Sequence, residues 1–68
     1  MKNLNDILKE INYDDEAYTY LWYGISERKE ISADLRSRFS EYGITDKQVR
    51  TMTNNIVKSI DKVVRGEI

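Results

Sequence analysis

Cysteine, proline and histidine are all missing from the 68-residue sequence, and only three glycines occur. Without cysteine there is no disulfide and no thiol chemistry, and without histidine the commonest metal ligand and the easiest general base near neutral pH are lost. No apolar run approaches the roughly 20 residues needed to cross a bilayer. We therefore expect no catalytic residue, no metal site, no cofactor and no membrane span, and we do not expect an enzyme.

With no proline and little glycine, the chain has few residues that would interrupt a helix. Hydrophobic residues make up 40% and charged residues 34%, a balance typical of a folded domain rather than a disordered chain. We predict an all-α fold, a small bundle of three to four helices, in a single domain over residues 1–68. The N-terminus lacks the uninterrupted apolar segment of a secretion signal, which favours a cytoplasmic localisation.

Apolar residues at three- and four-residue spacing predict four helices. The first covers about residues 4–11, with Asn3 as its N-cap. The second covers about residues 16–23, and either Asp14 or Asp15 can cap it. These two helices are short, so we expect them to depend on packing against the rest of the chain.

The third and fourth helices form the more strongly patterned half of the chain. The third is predicted over residues 32–42, with Ser32 as its N-cap. The fourth is predicted over residues 46–65, where Thr45 and Gln48 have the spacing of a capping box. The residues expected in the core are Leu35, Phe39 and Tyr42 from the third helix and Val49, Met52, Ile56, Ile60, Val63 and Val64 from the fourth.

A three-residue turn that contains Gly43 joins these two helices, and Ile44, Val49 and Met52 stand at the apolar positions that follow it. Over residues 32–56 this pattern resembles the helix-turn-helix family of DNA-binding proteins. The resemblance implies that the fourth helix enters the major groove of duplex DNA and reaches bases through Thr45, Lys47, Arg50, Thr51 and Asn54. The polar residues expected to extend this surface, some as phosphate contacts, are Arg36, Arg38, Gln48 and Lys58.

Two further observations bear on this resemblance. The family usually has a small residue four positions before the glycine, where this chain has Phe39, which predicts that the two helices open or shift in register. Residues 28–52 are also similar to one three-helix repeat of the RecX family of recombinase regulators. A plain helical hairpin with a solvated polar face is the alternative to both, because exposed helices commonly carry such residues.

Residues 14–23 combine acidic side chains with most of the aromatic ones. Alternation in this segment would permit a strand, but we favour a helix that ends at Gly24, since a lone strand would have no partner. The rings expected to fill the core in the favoured interpretation are Tyr20, Trp22 and Tyr23. In the alternative, exposed rings bind a protein partner, and the candidates are Tyr18, Trp22 and Tyr23.

Charge is distributed unevenly along the chain, with −4 from residues 1–27 and +4 from residues 28–65. A basic half next to an acidic, aromatic half leads to two functional hypotheses. The first is a small regulatory protein that binds double-stranded DNA through its fourth helix, acting as a dimer. The alternative is an inhibitor or adaptor, of the kind encoded by phages or mobile elements, that binds a protein through the aromatic segment.

Overall fold

The computed structural model describes residues 3–68, which form four α-helices and one 3₁₀ turn and contain no strand. The helices are α1 (Leu4–Glu10), α2 (Tyr13–Trp22), α3 (Arg28–Phe39) and α4 (Asp46–Val64), and the 3₁₀ turn (Ser40–Tyr42) follows α3 directly. The predicted all-α bundle is therefore confirmed, and the aromatic segment is helical. Among the described residues, no helix combines the length and apolar character that a bilayer span requires.

Helix α4 lies at the centre of the bundle and packs against both α2 and α3. Buried apolar side chains from these three helices form the core, namely Ala17, Tyr20, Ile31, Leu35, Phe39, Val49, Met52, Ile56 and Ile60. Helix α1 has no fully buried residue, and its apolar side chains only half-cover this core. The short N-terminal helix therefore depends on the other three, as its length predicts.

Helix α2 begins three residues earlier than predicted, because Asn12 caps it in place of Asp14 or Asp15. The Asn12 side-chain oxygen accepts hydrogen bonds from the backbone N–H groups of Asp14 (3.0 Å) and Asp15 (3.2 Å). The two carboxylates instead lie in the first turn, where negative charge favours the helix dipole. At the other end, Gly24 adopts the predicted left-handed conformation, with φ of 76°.

Helix α3 begins at Arg28, so the prediction that Ser32 is its N-cap is wrong. The N-cap is Glu27, which has the extended backbone of a cap but makes no side-chain hydrogen bond to the helix. The helix has to include Ile31, because this fully buried side chain lies on the same face as the later apolar residues. Ser32 is therefore inside the helix, where its hydroxyl contacts that of Thr53 at 2.9 Å.

The predicted capping box at the start of α4 is confirmed. Thr45 Oγ1 accepts a hydrogen bond from the Gln48 backbone N–H (3.1 Å), and Gln48 Oε1 accepts one from the Thr45 backbone N–H (2.9 Å). Ile44 packs against the core beside this box. The entry to α4 is therefore set by residues that are close together in the sequence.

Two residues predicted in the core lie outside it. Val64 is mostly exposed. Helix α3 begins beside the middle of α4, where Arg28 bonds Asn54, so α3 does not cover the last turns of α4. Tyr42 is nearly half exposed. Its ring lies at the end of the 3₁₀ turn with its centroid 6.3 Å from that of the buried Phe39, so it sits at the edge of the core and does not enter it.

Candidate interaction surfaces

The exposed face of α4 contains most of the residues that the helix-turn-helix resemblance assigns to DNA. Thr45 and Gln48 lie at its start, where both side-chain oxygens accept the hydrogen bonds of the capping box. The Thr51 hydroxyl donates a hydrogen bond to the Lys47 backbone carbonyl at 3.0 Å. Each side chain keeps hydrogen-bonding capacity beyond these bonds, namely the Thr45 hydroxyl proton, the Gln48 amide N–H groups and the Thr51 oxygen lone pairs, but the bonds within the helix fix its orientation.

The two arginines predicted to contact phosphates are both paired with carboxylates. Arg36 Nη1 lies 2.5 Å from Asp46 Oδ1, so it neutralises the acid at the start of α4. Arg38 donates two hydrogen bonds to Glu16 of α2, at 2.5 and 3.1 Å, and its guanidinium carbon lies 4.9 Å from the centre of the Phe39 ring. The hydrogen bonds to Glu16 raise the pKa of Arg38. Arg38 is thus a link between α2 and α3.

Four exposed cations of α4 remain without an ion pair to any residue from 3 to 68: Lys47, Arg50, Lys58 and Lys62. Lys58 and Lys62 are not in purely basic surroundings, because they share a cleft of about 600 Å³ with Glu10 and Asp14. These two carboxylates would repel a phosphate that approached from the α1 side. The basic character of α4 is strongest around Lys47 and Arg50.

Helices α3 and α4 run side by side in opposite directions. The hydroxyl oxygens of Ser32 and Thr53 are 2.9 Å apart. Measured along the helix axes, Ser32 is about 16 Å and Thr53 about 11 Å from the turn that joins the helices. If the two helices crossed at a right angle, these residues would be roughly 19 Å apart. Their contact requires a closed hairpin, nearer to antiparallel than the about 90–120° crossing of helix-turn-helix units. The Phe39 ring is buried in the core.

Three arginines line a groove of about 290 Å³ between α3 and α4. Arg28 and Arg36 come from α3 and Arg50 comes from α4, while Asp46 is the one acidic residue of the lining. Arg28 is not among the predicted site residues, because the predicted third helix begins after it. The sequence does contain a pattern that predicts the earlier start of α3. Ile31, Leu35 and Phe39 are spaced by four residues, so a helix that includes Ile31 extends back toward Arg28.

The aromatic residues of α2 are divided between the core and the solvent. Tyr20 is 3% exposed, and its phenol donates a 2.6 Å hydrogen bond to Asp34 of α3. Tyr18, Trp22 and Tyr23 are 48%, 86% and 72% exposed, so the interpretation that Trp22 and Tyr23 fill the core is wrong. We call Tyr18, Trp22 and Tyr23 the aromatic face. These three rings remain outside the core because Ala17 and Tyr20 are the residues of α2 that pack fully into it.

No protein-family model matches the chain, and no curated protein or solved structure is significantly similar to it. Its function must therefore be inferred from the surfaces described above, namely the exposed face of α4, the groove between α3 and α4, and the aromatic face. Within residues 3–68, no cluster of three or more acidic side chains could hold a metal ion.

Proposed function

We propose that the chain is a small protein-binding module, of the inhibitor or adaptor type, that docks through the aromatic face of α2. The observation that carries this proposal is the 86% exposure of Trp22, with Tyr18 exposed one turn before it and Tyr23 exposed at the C-cap of α2. A soluble domain has a strong reason to bury its only tryptophan, since a large ring gains substantially from leaving water. Tryptophan and tyrosine also dominate the energetics of protein interfaces.

Charge around the aromatic face indicates the chemistry of the partner. Asp15 is exposed on the same side of α2, since it stands three and seven residues before Tyr18 and Trp22. Two copies of this face would bring like charges together, which disfavours a symmetric dimer through it. The matching surface is one with apolar pockets and arginine or lysine side chains, because such cations can stack on the rings and pair with Asp15.

Removal of the Trp22 ring tests this proposal. The partner is isolated by photo-crosslinking from position 22 or a neighbouring site, purified, and titrated with the full chain by calorimetry. We expect Trp22→Ala to weaken binding by about 30-fold or more, the effect of losing an interface hot spot. The matched control is Tyr42→Ala, which removes a half-exposed ring from the 3₁₀ turn, outside the aromatic face.

Circular dichroism should show that Trp22→Ala leaves the helical content unchanged, because the ring is 86% exposed. The proposal is wrong if the Trp22→Ala protein binds as tightly as the wild type, or if both substitutions weaken binding equally. The fluorescence of Trp22 offers an independent reading, since docking should shift its emission to shorter wavelength.

Duplex-DNA binding by α4 is a second proposal, favoured by Lys47, Arg50, Lys58 and Lys62, which carry no ion pair within residues 3–68. Their charges would supply phosphate contacts of the kind that make binding depend on salt. We rank it second because Arg36 and Arg38 already pair with carboxylates, and because the closed hairpin presents the side of α4 rather than a projecting N-terminus.

A further inference from the structure

The groove between α3 and α4 gathers positive charge that the protein-binding proposal does not use. Its lining has three arginines and one carboxylate, a net charge of +2. Arg28 and Arg36 are eight residues apart on α3, about 12 Å along the helix, and Arg50 approaches from α4. We propose that this groove binds a phosphate monoester or inorganic phosphate, whose dianion would balance its charge.

The three arginines keep donors available for such a ligand. A guanidinium carries five N–H donors in a planar fork that suits phosphate oxygens. Arg28 uses one terminal nitrogen to bond Asn54 Oδ1, and Arg36 uses one to pair with Asp46. Arg50 makes no side-chain hydrogen bond or ion pair with any residue from 3 to 68, so its whole fork is available.

The two hydroxyls in the lining supply a neutral donor. Ser32 Oγ and Thr53 Oγ1 are 2.9 Å apart, and only one of their two protons can lie between the oxygens. Thr53 is buried, whereas Ser32 is half-buried, so Ser32 is the member that can turn its hydroxyl toward a ligand. A phosphate in the groove would thus meet charged donors from both helices and a hydroxyl donor from the lining.

Nuclear magnetic resonance of the full chain tests the site, with inorganic phosphate as the titrant and chloride exchanged to keep ionic strength constant. We expect saturable shifts at the backbone of Ser32 and Thr53 and at the arginine Nε–H groups. Arg50→Gln should weaken phosphate binding by about 10-fold or more, without loss of fold, because its side chain has no internal partner. The matched control, Lys58→Gln, removes the same charge from α4 outside the groove and should leave binding unchanged.

O-Phosphoserine should compete with phosphate at this site, since it carries the same dianionic group. The inference fails if the shifts do not saturate, or if Arg50→Gln and Lys58→Gln weaken binding equally, which would indicate general attraction to a basic helix. Displacement of phosphate by duplex DNA, whose diesters are monoanions, but not by O-phosphoserine would overturn the assignment to a monoester. The aromatic face plays no part in these measurements, so Trp22→Ala should bind phosphate normally.

Discussion

Helix α2 places its tyrosines in two different environments. Tyr20 is enclosed by the core and bonded to Asp34, whereas Tyr18, two residues earlier and on roughly the opposite side of the helix, is about half exposed. Burial raises the pKa of Tyr20 because the charged phenolate would lose its hydration, and the hydrogen bond to Asp34 and its negative charge raise it further. Tyr20 therefore stays protonated and links α2 to α3.

We predict that Tyr20→Phe lowers the free energy of unfolding by about 1–2 kcal/mol at neutral pH, because Asp34 loses its hydrogen-bond donor. Urea unfolding followed by circular dichroism measures this change. Tyr18→Phe is the control, since it removes the same hydroxyl from a more exposed ring and should leave the stability unchanged. An equal loss in both variants would contradict the structural role of the Tyr20 hydroxyl.

The pKa of Tyr20 also predicts a response to alkali. The folded-state pKa lies above the unfolded value of about 10, so the stabilisation is fully present below pH 10 and declines as the pH rises above it. Tyr20→Phe lacks this titration. We expect the stability difference between wild type and Tyr20→Phe to stay constant up to about pH 10 and to narrow as the pH rises further. A constant difference above about pH 10 would show that Tyr20 titrates normally.

At the scale of elements, the capping box lets α4 begin immediately after a three-residue turn. We predict that Thr45→Ala destabilises the protein by about 1 kcal/mol, because two N-terminal hydrogen bonds depend on Thr45 and Gln48 together. Thr51→Ala makes the same chemical change inside α4, where alanine is a better helix former, and should not destabilise. Urea unfolding of the three proteins compares them; a larger loss for Thr51→Ala would contradict the capping role.

The boundaries of the helices show how far local sequence determines this fold. The start of α4 could be predicted because Thr45 and Gln48 lie three residues apart and bond each other. The start of α3 could not, because Ser32 is the better cap by residue type while packing of Ile31 against the core requires an earlier turn. A buried contact thus outweighed a local capping preference worth about 1 kcal/mol.

Residue type predicts which rings and cations are candidates for binding, but not which of them are exposed or paired in the fold. Rings occur on every side of α2, so the side that faces α4 decides which are exposed, and that depends on packing across the bundle. The ion pairs of Arg36 and Arg38 join residues 10 and 22 positions apart, so they too depend on how the helices pack. Residue type therefore indicated where binding could occur, and tertiary contacts decided which charges remain available.

For the molecule as a whole, the separation of charge decides how DNA could be bound. The chain carries −1 overall, so long-range attraction to DNA is absent and any binding must orient the +4 half toward the phosphates. The DNA proposal predicts that the protein binds mixed-sequence duplex at low salt and that affinity falls steeply as salt increases. Fluorescence anisotropy over a series of salt concentrations gives the slope of log affinity against log salt.

A charge-matched pair of variants separates a specific surface from a general effect of net charge. Replacing Lys47 and Lys58 of α4 with glutamine should reduce the salt slope by about one for each lost phosphate contact. Replacing Lys9 of α1 and Lys29 of α3 with glutamine changes the net charge equally but leaves α4 intact. Equal losses in the two double variants, or no binding at low salt, would remove DNA as a ligand. Protein binding through the aromatic face of α2 would then be the remaining one of the two proposed functions.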